Sequence, residues 1–138
     1  TKIALRADIS GRGQIFIVTV SPLSVVQATN TATGANYFQS WAPDSSKILF
    51  MSTRTGNAEV FTMDTTGNYT NNNQTNLTNT TASSESYAVW APDGRSIAYS
   101  RDSRIWVMNA DGSNQRQLTT VTNRYDYEIA WWQPLQIA

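Results

Sequence analysis

A four-residue joint, Trp-Ala-Pro-Asp, stands between two apolar runs at Trp41–Asp44 and again at Trp90–Asp93. The copies are 90 − 41 = 49 residues apart. Each is followed, at the same offset from its Trp, by a strand-like run, Ile48-Leu49-Phe50-Met51 and Ile97-Ala98-Tyr99-Ser100. A shortened copy, Trp132-Gln133-Pro134, comes 132 − 90 = 42 residues later. A unit of about 40–50 residues with an aromatic and a turn at fixed offsets restricts the chain to a repeat architecture, and four short strands per unit point to propeller blades.

The strands follow in order. Lys2–Arg6, Gln14–Val20 and Val25–Ala28 belong to the first unit, and Tyr37–Trp41, Ile48–Met51 and Glu59–Met63 to the second. Ile97–Ser100, Arg104–Met108 and Gln117–Thr119 make the third, and Tyr127–Trp132 leads into the last proline. Their β-branched and aromatic residues suit a pleated, half-buried surface. Asn109–Ser113 carries the Asp-Gly signal of a hairpin. No segment keeps a long helical period, so the fold class is all-β. The tract Thr65–Ser86 is dominated by Thr, Asn and Ser and reads as a solvated loop insertion. Its Asn-x-Thr triplets at Asn68, Asn73, Asn76 and Asn79 are either products of that composition or glycosylation acceptors.

Charge and residue usage exclude much chemistry. Ten basic residues balance ten acidic ones, which leaves no electrostatic footprint for nucleic acid. The chain has neither Cys nor His, so thiolate metal sites, disulfides and His-based catalysis are ruled out. No apolar run approaches the ~20 residues of a membrane helix, so no membrane insertion is expected. The expectation is a protein that is not an enzyme, with no cofactor and no metal. Asp44, Asp93, Asp64 and Asp111 precede turns and read as turn residues that bond their own backbone, and the repeated Trp residues read as blade packing.

Trp90–Thr119, with its elements WAPDGRSIAYS and RIWVMNADGSNQRQLT, resembles the repeat unit of TolB-type (WD40-like) β-propellers. Trp41–Met63 resembles it with Ser45 in place of Gly, and Lys2–Val20 matches its two middle strands. Blades in this family run A, B, C, D from the inside out, and its propellers generally have six. The resemblance implies three four-stranded blades in circularly permuted order, half of a six-bladed propeller. The single segment 1–138 then divides into blades at about 2–40, with its first strand supplied by 127–138, then 41–89 and 90–131.

Three blades cannot close a ring, so either the chain forms a homodimeric six-bladed ring or it is half of a longer propeller. The expected function is a non-catalytic binding or scaffold module for protein–protein interaction, in the periplasm or outside the cell as the bacterial family implies. Its partner is a second copy and, in addition, another envelope or secreted protein. The alternatives are an accessory propeller of a larger peptidase-type enzyme and a carbohydrate-binding propeller. Variable loops on a rigid scaffold are where binding usually resides. On that side fall Arg54, Glu85, Tyr87, Arg101, Arg124, Tyr125 and Asp126, with Trp131 facing the channel or a partner.

Overall fold

The computed structural model describes residues 1–66, 69, 73–120, 125–126 and 128–132. Among them, eleven strands form three antiparallel sheets. The first holds β1 (Lys2–Ile9), β2 (Arg12–Thr19) and β3 (Ser24–Gln27) in that order. The second holds β4 (Asn36–Trp41), β5 (Lys47–Ser52), β6 (Glu59–Asp64) and β7 (Gln74–Asn76). The third holds β8 (Glu85–Trp90), β9 (Ser96–Arg101), β10 (Arg104–Asn109) and β11 (Arg116–Gln117). The described residues are therefore all-β, in three sheets of three or four strands, as propeller blades require.

The turns form as their residues dictate. Asp44 Oδ1 accepts the Ser46 amide at 2.9 Å, Asp93 Oδ1 that of Arg95 at 2.9 Å, and Asp111 Oδ1 that of Ser113 at 2.9 Å. Ser45, Gly94 and Gly112 follow with φ of 63°, 70° and 87°. These carboxylates complete turns and point at no site.

The core lies between the sheets. β5 is apolar without alternation because both its faces are covered. Ile48 and Phe50 pack with Phe61 and Met63 of β6 against Ile15, Ile17 and Ala28 of the first blade. Leu49 and Met51, pointing the other way, pack with Val60 and Leu77 against Ala88, Trp90, Ile97, Tyr99 and Met108 of the third. The far face of the first blade has no such cover. Ile3, Val18 and Val25 are cross-strand neighbours there, and Ile3 and Val25 are 52% and 60% exposed.

Two sequence expectations need correction. The Thr65–Ser86 tract is not all solvated loop: it contains β7, and Thr65, Leu77, Thr78 and Glu85 are buried in it. Thr65 is inside because it donates to Ser45 O and Ser46 O, Thr78 because it bonds Glu59 and the Val60 amide, and Glu85 because it pairs with Arg101. The second concerns the last repeat. Phe38, Tyr87 and Glu128 all have positive φ, at 52°, 51° and 48°, and the first two sit in strand bulges of β4 and β8. Trp41, Trp90 and Trp131 each follow three residues later, so Trp131 is the repeat Trp and Trp132 the extra one. No strand is assigned over Glu128–Trp132, and the rest of the proposed first-blade strand, 127 and 133–138, lies outside the described residues.

Candidate functional site

Each blade junction holds a buried polar cluster. At the first, Gln14 on β2 accepts from Thr29 at 2.8 Å and from Asn36 Nδ2 at 3.0 Å. At the second, Glu59 on β6 stands where Gln14 stood. Glu59 accepts from Asn57 Nδ2 at 2.9 Å, from the Thr80 amide at 2.8 Å and from the Thr78 hydroxyl. Glu85 takes the place of Asn36, and its Oε1 accepts from Arg101 Nε at 2.7 Å and from the Thr80 hydroxyl at 3.3 Å. Burial raises the Glu85 pKa to about 7, Arg101 counteracts this, and Glu59 adds to it. A buried carboxyl beside a second carboxyl keeps its proton unless a cation compensates fully.

The arginines sit on aromatic pairs. The Arg101 guanidinium lies 5.2 Å from the Tyr99 ring centroid and 4.5 Å from that of Trp106. Arg54 lies 5.6 Å from Phe50 and 4.5 Å from Phe61, donates to Asn36 Oδ1 at 2.8 Å and to Gln74 Oε1 at 2.7 Å, and burial lowers its pKa to about 10. Gln74 and Gln115 pass the connection on, since each donates its Nε2 to a carbonyl of the preceding blade, Ala28 O at 3.2 Å and Leu77 O at 2.9 Å. These clusters bind blade to blade.

A concave groove runs along the inner strands. Phe38, Gln39 and Ser40 of β4, Tyr87, Ala88 and Val89 of β8, and Glu128 with Ile129 enclose a volume of about 400 Å³. The left-handed bulge residues project into it. Phe38 and Tyr87 stack with ring centroids 5.4 Å apart, and Tyr37 meets Phe38 edge-on at 5.1 Å. Non-Gly residues held at positive φ cost energy and concentrate at functional sites. The groove therefore offers a pair of aromatic faces with a carboxylate beside them.

The sequence candidates divide accordingly. Glu85 opens β8 and Arg101 closes β9, while Arg54 lies in the turn between β5 and β6, and all three side chains belong to the blade junctions. Glu85 and Arg101 are inside because they pair with each other, and Arg54 is held by neutral oxygen acceptors and two aromatic rings. Tyr87 lines the groove. Asp126 is half-buried, accepts from the Thr119 hydroxyl at 2.5 Å, and donates its amide to Ser103 O at 3.1 Å. Trp131 donates Nε1 to Val89 O at 3.4 Å. Tyr125 is 75% exposed, and Arg124 lies outside the described residues. Phe38 and Glu128 were missed: their only signal is their place three residues before each repeat Trp. Among the described residues, no three acidic side chains gather to hold a metal ion.

Three solved structures share this architecture. A TolB-type protein from Agrobacterium tumefaciens is 17% identical with a TM-score of 0.71, over 84% of this chain and 44% of its own. TolB from Acinetobacter baumannii is 18% identical with a TM-score of 0.66, over 86% and 29%. The tricorn protease is 20% identical with a TM-score of 0.60, over 78% and 10%. The chain thus spans less than half the length of each. No curated protein sequence matches it. The family described as the dipeptidyl peptidase IV (DPP IV) N-terminal region matches residues 54–132, more than half of the chain, and the chain belongs to that family.

Proposed function

We propose that the chain is a non-catalytic propeller module that binds a protein partner through its inner-strand groove and forms a six-bladed ring with a second copy. The observation that carries the binding role is the stacked Phe38–Tyr87 pair, held on strained bulges over a buried scaffold. Aromatic anchors in a pre-formed cleft are the usual centre of an interface. Likeness to TolB-type propellers supports a place in the bacterial envelope or outside the cell.

The test is a titration with a panel of unstructured peptides and soluble oligosaccharides, run on the native chain and on Phe38→Asn. Saturable peptide binding lost in the variant supports the reading. Oligosaccharide binding alone would replace it with the carbohydrate alternative. Molecular mass in solution tests the ring, with twice 15.3 kDa expected.

Family membership favours a second reading, an accessory propeller that controls access to a peptidase active site elsewhere. Under it, the chain alone leaves dipeptidyl substrates intact yet binds the peptides a peptidase would cleave.

A further inference from the structure

Among the described residues, three pairs of aromatic rings share one arrangement. Phe50 and Phe61 have centroids 5.7 Å apart and planes 30° apart. The values are 6.5 Å and 30° for Tyr99 and Trp106, and 5.4 Å and 28° for Phe38 and Tyr87. Two of the pairs are platforms for an arginine. The Arg54 guanidinium lies 4.5 Å from the Phe61 centroid, and that of Arg101 lies 4.5 Å from the Trp106 centroid. A planar guanidinium stacks on such faces because the ring quadrupole is negative there and because it is more weakly hydrated than an ammonium.

The Arg101 site adds a carboxylate. Glu85 Oε1 accepts from Arg101 Nε at 2.7 Å, so this guanidinium is held by two rings and one acid. The groove along the inner strands presents the same three groups. Phe38, Tyr87 and Glu128 all line it, and the Glu128 side chain is exposed. The three occupy one repeat position, three residues before Trp41, Trp90 and Trp131, and share a left-handed backbone. No basic residue is among the described residues that line the groove. Arg6, which lines a neighbouring cavity with Tyr37 and Phe38, pairs with Asp8 at 2.6 Å.

The sites differ in access. Phe61 is 5% exposed and receives its arginine from within the chain, whereas Phe38 is 52% exposed at the groove and is open to one brought from outside. Deepening the protein-binding reading above, on which this rests, we infer that the groove takes an arginine side chain of the partner, with its guanidinium stacked on Phe38 and donating to the Glu128 carboxylate. The groove volume of about 400 Å³ falls within the ~300–1,000 Å³ of small-ligand sites and admits one long side chain. Arginine suits it better than lysine, because a planar fork stacks and bonds a carboxylate at once while an ammonium is a compact, strongly hydrated charge.

The test is a titration of the native chain with a capped heptapeptide, acetyl-Ser-Gly-Leu-X-Leu-Gly-Ser-amide, in which X is arginine, citrulline or lysine. Binding is read from the NMR shifts of the Phe38 and Tyr87 amides. The caps leave X as the peptide's only charge, and citrulline keeps the plane and length of arginine without it. The arginine peptide is expected to bind about fivefold more tightly than the citrulline peptide. That ratio should shrink as salt is added, because Glu128 is exposed. In Glu128→Gln, at the same exposed site, the preference for arginine should vanish while citrulline binds as before.

Equal affinities for arginine and citrulline in the native chain, with both lost in Phe38→Asn, would overturn the arginine and leave the groove as a peptide site. Lysine binding as tightly as arginine would rule out the stacked guanidinium. An arginine preference that survives in Glu128→Gln would remove Glu128 from the site. No saturable shift with any of the three peptides would overturn the inference together with the protein-binding role of the groove.

Discussion

Arg54 and Arg101 put their guanidinium groups on the same spot of successive blades, although they are not equivalent in the repeat. Arg101 aligns with Ser52, and Arg54 comes two residues later and reaches back, with Nε bonded to Ser52 Oγ at 2.8 Å. Both stack on the blade's own aromatic pair and both bond a Gln that reaches the preceding blade. The structure thus conserves the position of the charge rather than the position of the residue.

The two arginines differ in what they neutralise, and this sets the order of their effects. Arg101 faces the buried Glu85 carboxylate, and Arg54 faces the amides of Asn36 and Gln74. Removing one partner of a buried ion pair costs about 3–5 kcal/mol. Removing a donor from neutral partners costs about 1–3 kcal/mol. Denaturant unfolding above pH 7, where Glu85 is ionised, should therefore rank Arg101→Ala as the more destabilised variant. Equal or reversed losses would show that Glu85 is not charged in the folded protein.

The Glu59–Glu85 pair predicts a pH dependence of unusual direction. The Glu85 pKa rises from 4.5 to about 7 on folding, so between these values the folded state binds more protons than the unfolded one. Stability from this group is complete below its ordinary pKa and is lost as pH rises through about 7. The loss is of the order of 1–3 kcal/mol. Asp44 and Asp111, whose pKa values are lowered chiefly by hydrogen bonds from Ser46 and Ser113, act oppositely and only in acid. With no His in the chain, the interval from pH 5 to 8 belongs to Glu85. Melting temperature should fall across it in the native chain and stay level in Glu85→Gln, whose amide does not titrate.

Gly112 tests how tightly the blades abut. Its φ is +87°, and a Cβ there would lie 2.8 Å from Leu77 O, on the neighbouring blade. Gly11 has a comparable φ of +76° but open space around it. An alanine at Gly11 meets only backbone strain, about 1 kcal/mol, whereas Gly112→Ala must also push the third blade away from the second. The expected result is a melting temperature clearly lower for Gly112→Ala than for Gly11→Ala.

The strands and turns were legible in the sequence because they are local. Pro-Asp and Asp-Gly turns bond within four residues, and runs such as Ile48–Met51 announce burial on both faces. The junctions were not, since Glu59 meets Glu85 and Gln115 meets Leu77 across many residues of chain. Yet a trace was present: Leu77-Thr78 within the polar tract repeats Leu118-Thr119, and both threonines accept an amide of the third strand of their blade, Val60 and Ile105, at 3.0 Å. Composition hid β7, because the residues that fasten a junction are the same Thr and Asn that make a solvated loop. The Trp131 register was hidden by the following Trp132 and proline, which imitate the joint one residue too late.

Phe38 separates binding from stability. Its ring is 52% exposed and its backbone is left-handed, so the native residue adds little core and carries strain. Phe38→Asn keeps a residue that tolerates this backbone while removing the stack on Tyr87, worth about 0.5–1.5 kcal/mol. Relief of strain of about 1 kcal/mol offsets that loss. The unfolding midpoint should therefore move little, whereas peptide affinity at the groove should drop at least tenfold if the aromatic pair is the anchor. A variant that unfolds readily yet binds peptide normally would show that Phe38 serves packing, and that the groove is not where the partner docks.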